Sequence, residues 1–139
     1  MTSAVRLIRS DALSDAAEYA YAATAPAGAR LVFLAGACPL DQDGATVAVG
    51  DVRGQAAQCV ENLRTALAAA GAGIDDLVQT RVLVASSQQA DLVAAWEVVR
   101  AAMGDHDVPS TLLGVTVLGY DDQLVEVEAI AAVVDDPLS

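Results

Sequence analysis

The fold is decided by one stretch, Pro109-Ser-Thr-Leu-Leu-Gly-Val-Thr-Val-Leu-Gly-Tyr-Asp-Asp-Gln-Leu-Val-Glu-Val-Glu-Ala-Ile-Ala131. Its two apolar arms predict two strands, and the polar residues between them predict a turn. Alternation in the second arm separates two faces of the strand, one with Val125, Val127, Ala129 and Ala131 and the other with Leu124, Glu126, Glu128 and Ile130. We expect the first set to pack against helices, while the second places two carboxylates on an otherwise apolar face.

The Glu126 and Glu128 pair leaves two interpretations open. Residues two apart on a strand share a face and lie about 7 Å from each other, given a rise of about 3.3 Å per residue. The pair is either two surface glutamates on a solvated sheet face or a carboxylate in a cleft. In a cleft, such a carboxylate binds an amine or orients a water molecule.

Periodicity in the preceding sequence predicts four further strands and two helices. The strands are expected at residues 4–9, 19–25, Arg30–Ala35 and Leu77–Val84. Asp51 is expected to cap a helix that runs to Ala70, and Ser86 or Ser87 to cap a second helix that ends at Gly104.

Each predicted helix has one apolar face. The first is formed by Val52, Ala56, Cys59, Val60, Leu63, Leu67 and Ala70, and the second by Leu92, Ala95, Trp96, Val99 and Met103. Trp96 falls within its stripe, which favours a core anchor over a ligand-stacking residue.

Composition and charge exclude several functions. The 139 residues suffice for one domain, 1–139, and carry a net charge of −12 with 7 basic residues, all of them arginine. Without lysine there is no Schiff-base or P-loop chemistry, and the negative charge disfavours a nucleic-acid partner. One histidine and two cysteines show no zinc spacing, so we expect no metal or other cofactor.

Hydropathy predicts a cytoplasmic protein without a membrane partner. No run of 18 apolar residues is uninterrupted, and the first ten residues lack the hydrophobic block of a signal peptide. Cys38 and Cys59 would then stay reduced. The core is rich in small apolar side chains, which bury little area each, so self-association would add burial.

The order of elements resembles the RidA (YjgF/YER057c/UK114) family from about Tyr19 to Val133. Local matches are Leu31–Gly36 with Pro39, the Asp41–Gly44 turn, the Asp51 helix with Gln58, Asn62 and Leu63, Asp75–Val84, Pro109 and Val125–Ala131. The resemblance implies an α+β fold similar to chorismate mutase of the bacterial trimeric type, with a six-stranded mixed sheet and two helices on one face. It further implies a homotrimer that binds a small-molecule metabolite in a cleft at each subunit interface.

Many family members are enamine/imine deaminases, and the resemblance assigns their site residues to positions in this chain. Glu126 matches the glutamate that helps to position water. The expected substrate-binding positions are Tyr21, with Tyr19 as the alternative, Gly36, Ala37, Thr111 and Leu113. Leu113 replaces a cysteine of the family, and Ala35 replaces a serine.

Thr111 is the largest departure from the family pattern. The family arginine follows a proline by two residues and precedes the glutamate by fifteen, which is the position of Thr111 between Pro109 and Glu126. A guanidinium donates two charge-assisted hydrogen bonds to a carboxylate, each worth roughly 1.5–3 kcal/mol, whereas threonine offers one neutral hydroxyl. We therefore expect weak binding of 2-imino acids unless another arginine, such as Arg81, enters the cleft. A binding protein without deaminase activity and a deaminase or related hydrolase of altered specificity both remain open.

Overall fold

The computed structural model describes residues 3–135, and its order of elements is the predicted one. The strands and helices are β1 Arg6–Ile8, β2 Ala22–Thr24, β3 Arg30–Phe33, α1 Val52–Ala69, β4 Leu77–Val84, α2 Gln89–Met103, β5 Ser110–Gly114 and β6 Val125–Val133. A short 3-10 turn, Ile74–Asp76, precedes β4. The fold is therefore α+β, with six strands and two helices as expected.

The six strands divide between two sheets. The main sheet has the order β3-β6-β4-β5, in which β4 and β5 are parallel and the other neighbours antiparallel, so it is mixed. β1 and β2 form a separate antiparallel hairpin. The amide of Ala20, just before β2, donates to the carbonyl of Asp107 at 2.7 Å and so ties the hairpin to the segment before β5.

One face of the main sheet is covered by both helices and the other is open. Val125, Val127, Ala129 and Ala131 are buried under the helices, as alternation predicts. On the opposite face of β3, Leu31 is 56% exposed and Phe33 is 72% exposed. This uncovered face also presents Glu126 and Glu128, so both glutamates lie on the side of the sheet away from the helices.

The ends of α1 follow the sequence signals closely. The Asp51 carboxylate accepts a hydrogen bond from the amide of Gly54 at 3.0 Å, which confirms the predicted cap. After the helix, Gly71 has a φ of +76°, the left-handed conformation that glycine accepts without strain. The buried side is the predicted apolar stripe together with Gln55, which is fully buried.

The start of α2 differs from the prediction. Its N-cap residue is Gln88, whose side chain makes no capping bond, so neither Ser86 nor Ser87 is the cap. The hydroxyl of Ser86 instead accepts from the amide of Gln88 at 3.0 Å and bonds the carboxylate of Asp91 at 2.7 Å. These bonds close a local turn before the helix, a common alternative to capping for serine. The helix ends at Gly104, as predicted.

Candidate functional site

Glu126 lies beside the segment Gly36-Ala37-Cys38 that follows β3. Ala37 bonds Val127 in both directions, with its amide 2.7 Å from the Val127 carbonyl and its carbonyl 3.0 Å from the Val127 amide. These two bonds hold the segment in register with β6, one residue from Glu126. Three residues of the predicted site, Gly36, Ala37 and Glu126, are therefore brought together.

Two donors converge on one oxygen of the Glu126 carboxylate. The Cys38 thiol and the Gln123 amide nitrogen each lie 3.2 Å from Oε1. The orientation of the buried Gln123 amide is fixed because its oxygen accepts from the Tyr120 amide at 3.1 Å and its nitrogen also donates to the Val125 carbonyl. Oε1 is thereby anchored from two sides.

The second oxygen, Oε2, lies against the backbone of Gly36. A Cβ added at Gly36 would come within 2.7 Å of the Glu126 Cδ and would clash with Oε2, so a larger residue here would have to displace the Glu126 carboxylate. Among residues 3–135 no hydrogen-bond donor reaches Oε2, and the atom is not fully buried. The carboxylate consequently has one held oxygen and one available oxygen.

The environment of Cys38 keeps its thiol protonated. Burial, followed by the hydrogen bond to Glu126 and the negative charge of Glu126, raises the pKa of Cys38 to about 11. A thiol next to a carboxylate resists ionisation because the thiolate would add a second negative charge. Cys59 is fully buried in the core, as the sequence predicts, and burial raises its pKa further still.

Thr111 lies on the edge strand β5, away from Glu126. A cavity of about 390 Å³ is lined by Tyr19, Trp96, Ser110, Thr111 and Leu112. Leu113 is paired with Leu83 on β4, and Leu83 is paired with Glu126 on β6. Leu113 is thus two strands from Glu126, about 10 Å from backbone to backbone. A single chain does not bring Thr111 and Leu113 into contact with Glu126.

Tyr19, and not Tyr21, shares the cavity with Thr111. The Tyr19 ring packs edge-on against Trp96, with ring centroids 6.0 Å apart, whereas the Tyr21 phenol donates to the carbonyl of Ser14. Trp96 packs against the core, as predicted, but it is only partly buried and its indole donates to Glu18 at 3.2 Å. One side of Trp96 therefore remains available as a cavity wall.

Arg81 is on the open face of the sheet and is engaged by a carboxylate. It is the register partner of Thr111 on one side and of Glu128 on the other. Its Nε lies 3.8 Å from Oε1 of Glu128, in a pair whose side chains are both about half exposed. The two residues line a second cavity, of about 220 Å³, together with Phe33 and Ile130.

Cys38 and Gln123 both contact the Glu126 carboxylate, but the sequence analysis did not assign either of them to the site. Cys38 was expected only to be a reduced cysteine, and Gln123 only to lie in the polar turn before β6. Cys38 and Glu126 are 88 residues apart in the chain, so local patterning contains no signal for their contact. Within residues 3–135 no three His, Cys, Asp or Glu side chains are arranged to hold a metal ion, and no helix is long and apolar enough to span a membrane.

Comparisons with known proteins agree with this architecture. Residues 10–133 match the model of a protein family described as endoribonuclease L-PSP. A RutC family protein of Pyrococcus horikoshii is 31% identical over 102 residues, covering 73% of this chain and 79% of that protein. The crystal structure of the Rid family protein YyfB from Yersinia pestis has 26% identity and a TM-score of 0.87, covering 94% of this chain and 99% of that chain. Escherichia coli TdcF, crystallised with bound serine, has 27% identity and a TM-score of 0.64, covering 82% of this chain and 87% of that chain.

Proposed function

The chain belongs to the RidA (YjgF/YER057c/UK114) family, and from that premise we propose that it is a cytoplasmic homotrimer that binds a small metabolite at each subunit interface. We further propose that it is not a standard 2-iminobutanoate or 2-iminopropanoate deaminase. The single observation that supports this conclusion is the charge around Thr111. Thr111 itself is neutral, and the adjacent Arg81 is already paired with Glu128.

A carboxylate ligand at Thr111 would compete with Glu128 for Arg81. This competition lowers the affinity, because the attraction between Arg81 and the ligand carboxylate is offset by the loss of the Arg81–Glu128 pair, which leaves Glu128 unpaired on the same face. Since the pair is partly exposed, the interaction is worth about 0–1 kcal/mol and the penalty is modest. The pairing therefore lowers the help that Arg81 can give to a ligand carboxylate by no more than about 1 kcal/mol, and Thr111 adds no charge of its own.

The open sheet face supports the trimer. Phe33 and Leu31 are large apolar side chains exposed on the face opposite the helices, where a second copy of the chain would bury them. Thr111 and Glu126 are also two strands apart within one chain, so residues from a neighbouring subunit would complete the cleft. The bound serine in TdcF supports a small metabolite as the kind of ligand, and its ammonium group is of the kind that a glutamate such as Glu126 can accept from.

The description of the family as endoribonuclease finds no support in the charge of this chain. The net charge is −12, and six of the seven arginines lie between 2.7 and 3.9 Å from a carboxylate within residues 3–135. Cations already neutralised by carboxylates release few counterions from RNA, and the overall field repels phosphate.

Ammonia release from freshly generated 2-iminobutanoate tests the proposal. The spontaneous rate, the wild-type rate and the rate with Glu126→Ala are compared in the same buffer. We expect the wild-type rate to match that of Glu126→Ala. A wild-type rate well above both controls would show that the chain deaminates 2-imino acids despite Thr111. Light scattering at micromolar concentration tests the assembly, and a monomer would overturn the shared cleft.

A second function is favoured by the free oxygen of Glu126. With Oε1 held by two donors, Oε2 is positioned to accept a proton from a water molecule as that water attacks a neutral imine or enamine. Imine hydrolysis consumes this water and releases ammonia and a carbonyl compound. An imine that lacks a carboxylate is the test substrate, and an enzyme of altered specificity would hydrolyse it faster than the Glu126→Gln variant does.

A further inference from the structure

The two oxygens of Glu126 are not equivalent, and Cys38 is one reason. We propose that Cys38 is a positioning residue whose thiol donates to Oε1 of Glu126, so that Oε1 is fixed and Oε2 alone meets the ligand. The thiol is itself placed by the backbone pairing of Ala37 with Val127, which holds the Cys38 segment against β6. The asymmetry therefore follows from the fold and does not require a ligand.

Other contacts support the role of the thiol as donor. The Asn62 side chain donates to the carbonyls of Cys38 and Leu40, at 2.7 and 2.9 Å, and so fixes the backbone that bears the thiol. The Cys38 sulfur also lies 3.5 Å from the carbonyl of Gly36, a longer contact than the 3.2 Å to Oε1. Because its pKa is raised to about 11, the thiol keeps its proton at neutral pH and is a poor nucleophile.

This arrangement specifies the chemical class of the ligand, an inference that rests on the proposed binding function. Oε2 is an acceptor beside the Gly36 backbone, and the side chains that contact the carboxylate, Cys38 and Gln123, are both neutral. A group placed there must donate an N–H or O–H, as an ammonium, an amide or water does. A carboxylate or phosphate group would be repelled.

Alkylation of Cys38 by iodoacetamide tests the contact without any ligand. The thiolate reacts, so the rate at a given pH follows the ionised fraction. Glu126→Gln removes the charge that opposes ionisation and should speed alkylation at about pH 8 by on the order of tenfold, since burial remains and one pKa unit is a factor of ten. Cys59 is fully buried, so the label reports Cys38, and Cys38→Ser gives the blank.

Glu128→Gln is the matched control, because Glu128 is on the same strand and face but forms an ion pair with Arg81 and does not contact Cys38. We expect it to leave the alkylation rate unchanged. Equal alkylation rates for wild type and Glu126→Gln would overturn the proposed contact. An equal acceleration by Glu126→Gln and Glu128→Gln would overturn it as well. Circular dichroism melts of each variant show that the rates refer to folded protein.

Carbon-13 NMR of the glutamate carboxylates tests the positioning itself. The Glu126 resonance is identified by its loss in Glu126→Gln. At neutral pH we expect Cys38→Ala to shift this resonance and Cys38→Ser, which retains a donor, to leave it close to the wild-type position. If the lost side-chain volume alone were the cause, the Glu126 resonance would behave in the same way in Cys38→Ala and Cys38→Ser. An unshifted resonance in Cys38→Ala would overturn the positioning role.

Two probes of the same length test the ligand class. Propylammonium should shift the Glu126 resonance on titration, whereas propionate should not. A larger shift with propionate than with propylammonium would contradict two statements: that the ligand donates a hydrogen bond to Glu126, and that the site lacks a group that binds anions. The alkylation result is independent of this outcome, so a failure of the Cys38 contact is distinguishable from a failure of the proposed binding function.

Discussion

Arg81 and Thr111 are direct partners across the parallel pairing of β4 and β5. An arginine therefore stands one strand spacing, about 4.8 Å, from the position where many family deaminases have theirs. Its guanidinium is turned towards Glu128, on the strand on its other side, at 3.8 Å. The open sheet face thus has a positive charge close to Thr111 that is balanced by a neighbouring carboxylate.

Thr111→Arg should create an anion clamp. A guanidinium at residue 111 adds charge-assisted hydrogen bonds to a ligand carboxylate, and one such bond of roughly 1.5–3 kcal/mol corresponds to a ten- to hundredfold gain in affinity. We expect Thr111→Arg to bind 2-iminobutanoate more tightly than wild type by about this factor and to release ammonia from it above the wild-type rate, which is expected to equal that of Glu126→Ala. Thr111→Gln, which adds length without charge, is the control, and equal activity of the two variants would contradict the prediction.

Glu128→Gln should release Arg81 and increase the affinity for small carboxylates. The free energy of unfolding should change by less than about 1 kcal/mol, because the pair is partly exposed. Propionate binding, followed by calorimetry, should tighten in Glu128→Gln and return to the wild-type value when Arg81→Gln is added. Tighter binding that persists in the double variant would mean that Arg81 is not the group released.

Helices and strands could be predicted from the sequence where they are long and bury only one of their faces. Alternation over Val125–Ala131 placed β6 to within about two residues, and the repeat of apolar residues at three and four placed α1 to within one. β1 and β2 have only three residues each, too few for alternation to specify which sheet they join. One bond that ties their hairpin to the rest of the fold, from the Ala20 amide to the Asp107 carbonyl, joins residues far apart in the sequence.

The site was less predictable, because its contacts join distant parts of the chain. Counting along the stretch from Pro109 located Thr111 and Glu126, but nothing in the pattern indicated that Cys38 donates to Glu126. The same holds for Gln55, a polar residue on the buried side of a helix. Its role depends on two loop carbonyls and an amide that only the folded chain brings near.

Gln55→Met should destabilise the protein and disturb the start of β6. The fully buried Gln55 amide oxygen accepts from the Leu124 amide at 2.7 Å, and its nitrogen donates to the Asp122 carbonyl at 2.9 Å. An apolar side chain would leave both backbone groups unpaired, at a cost of about 1–3 kcal/mol each.

Urea unfolding measures this effect on stability. Gln89→Met, at an exposed position at the start of α2, serves as the control and should change stability by less than about 0.5 kcal/mol. A Gln55→Met midpoint equal to that of the control would show that water or a backbone shift satisfies the Leu124 and Asp122 groups.

The protein should lose stability above about pH 9 in part through Cys38. The pKa of this thiol is raised from 9.0 to about 11 in the folded state, first by burial and then by Glu126. Between these values the unfolded chain loses the proton and the folded chain keeps it, so the unfolded state binds fewer protons and stability falls as pH rises. Cys38→Ser removes this titration and leaves Cys59 in place. Urea unfolding at about pH 8 and about pH 10.5 should therefore show a smaller loss of stability in Cys38→Ser than in wild type. Equal losses in the two proteins would mean that the folded protein does not hold the Cys38 proton more tightly than the unfolded chain does.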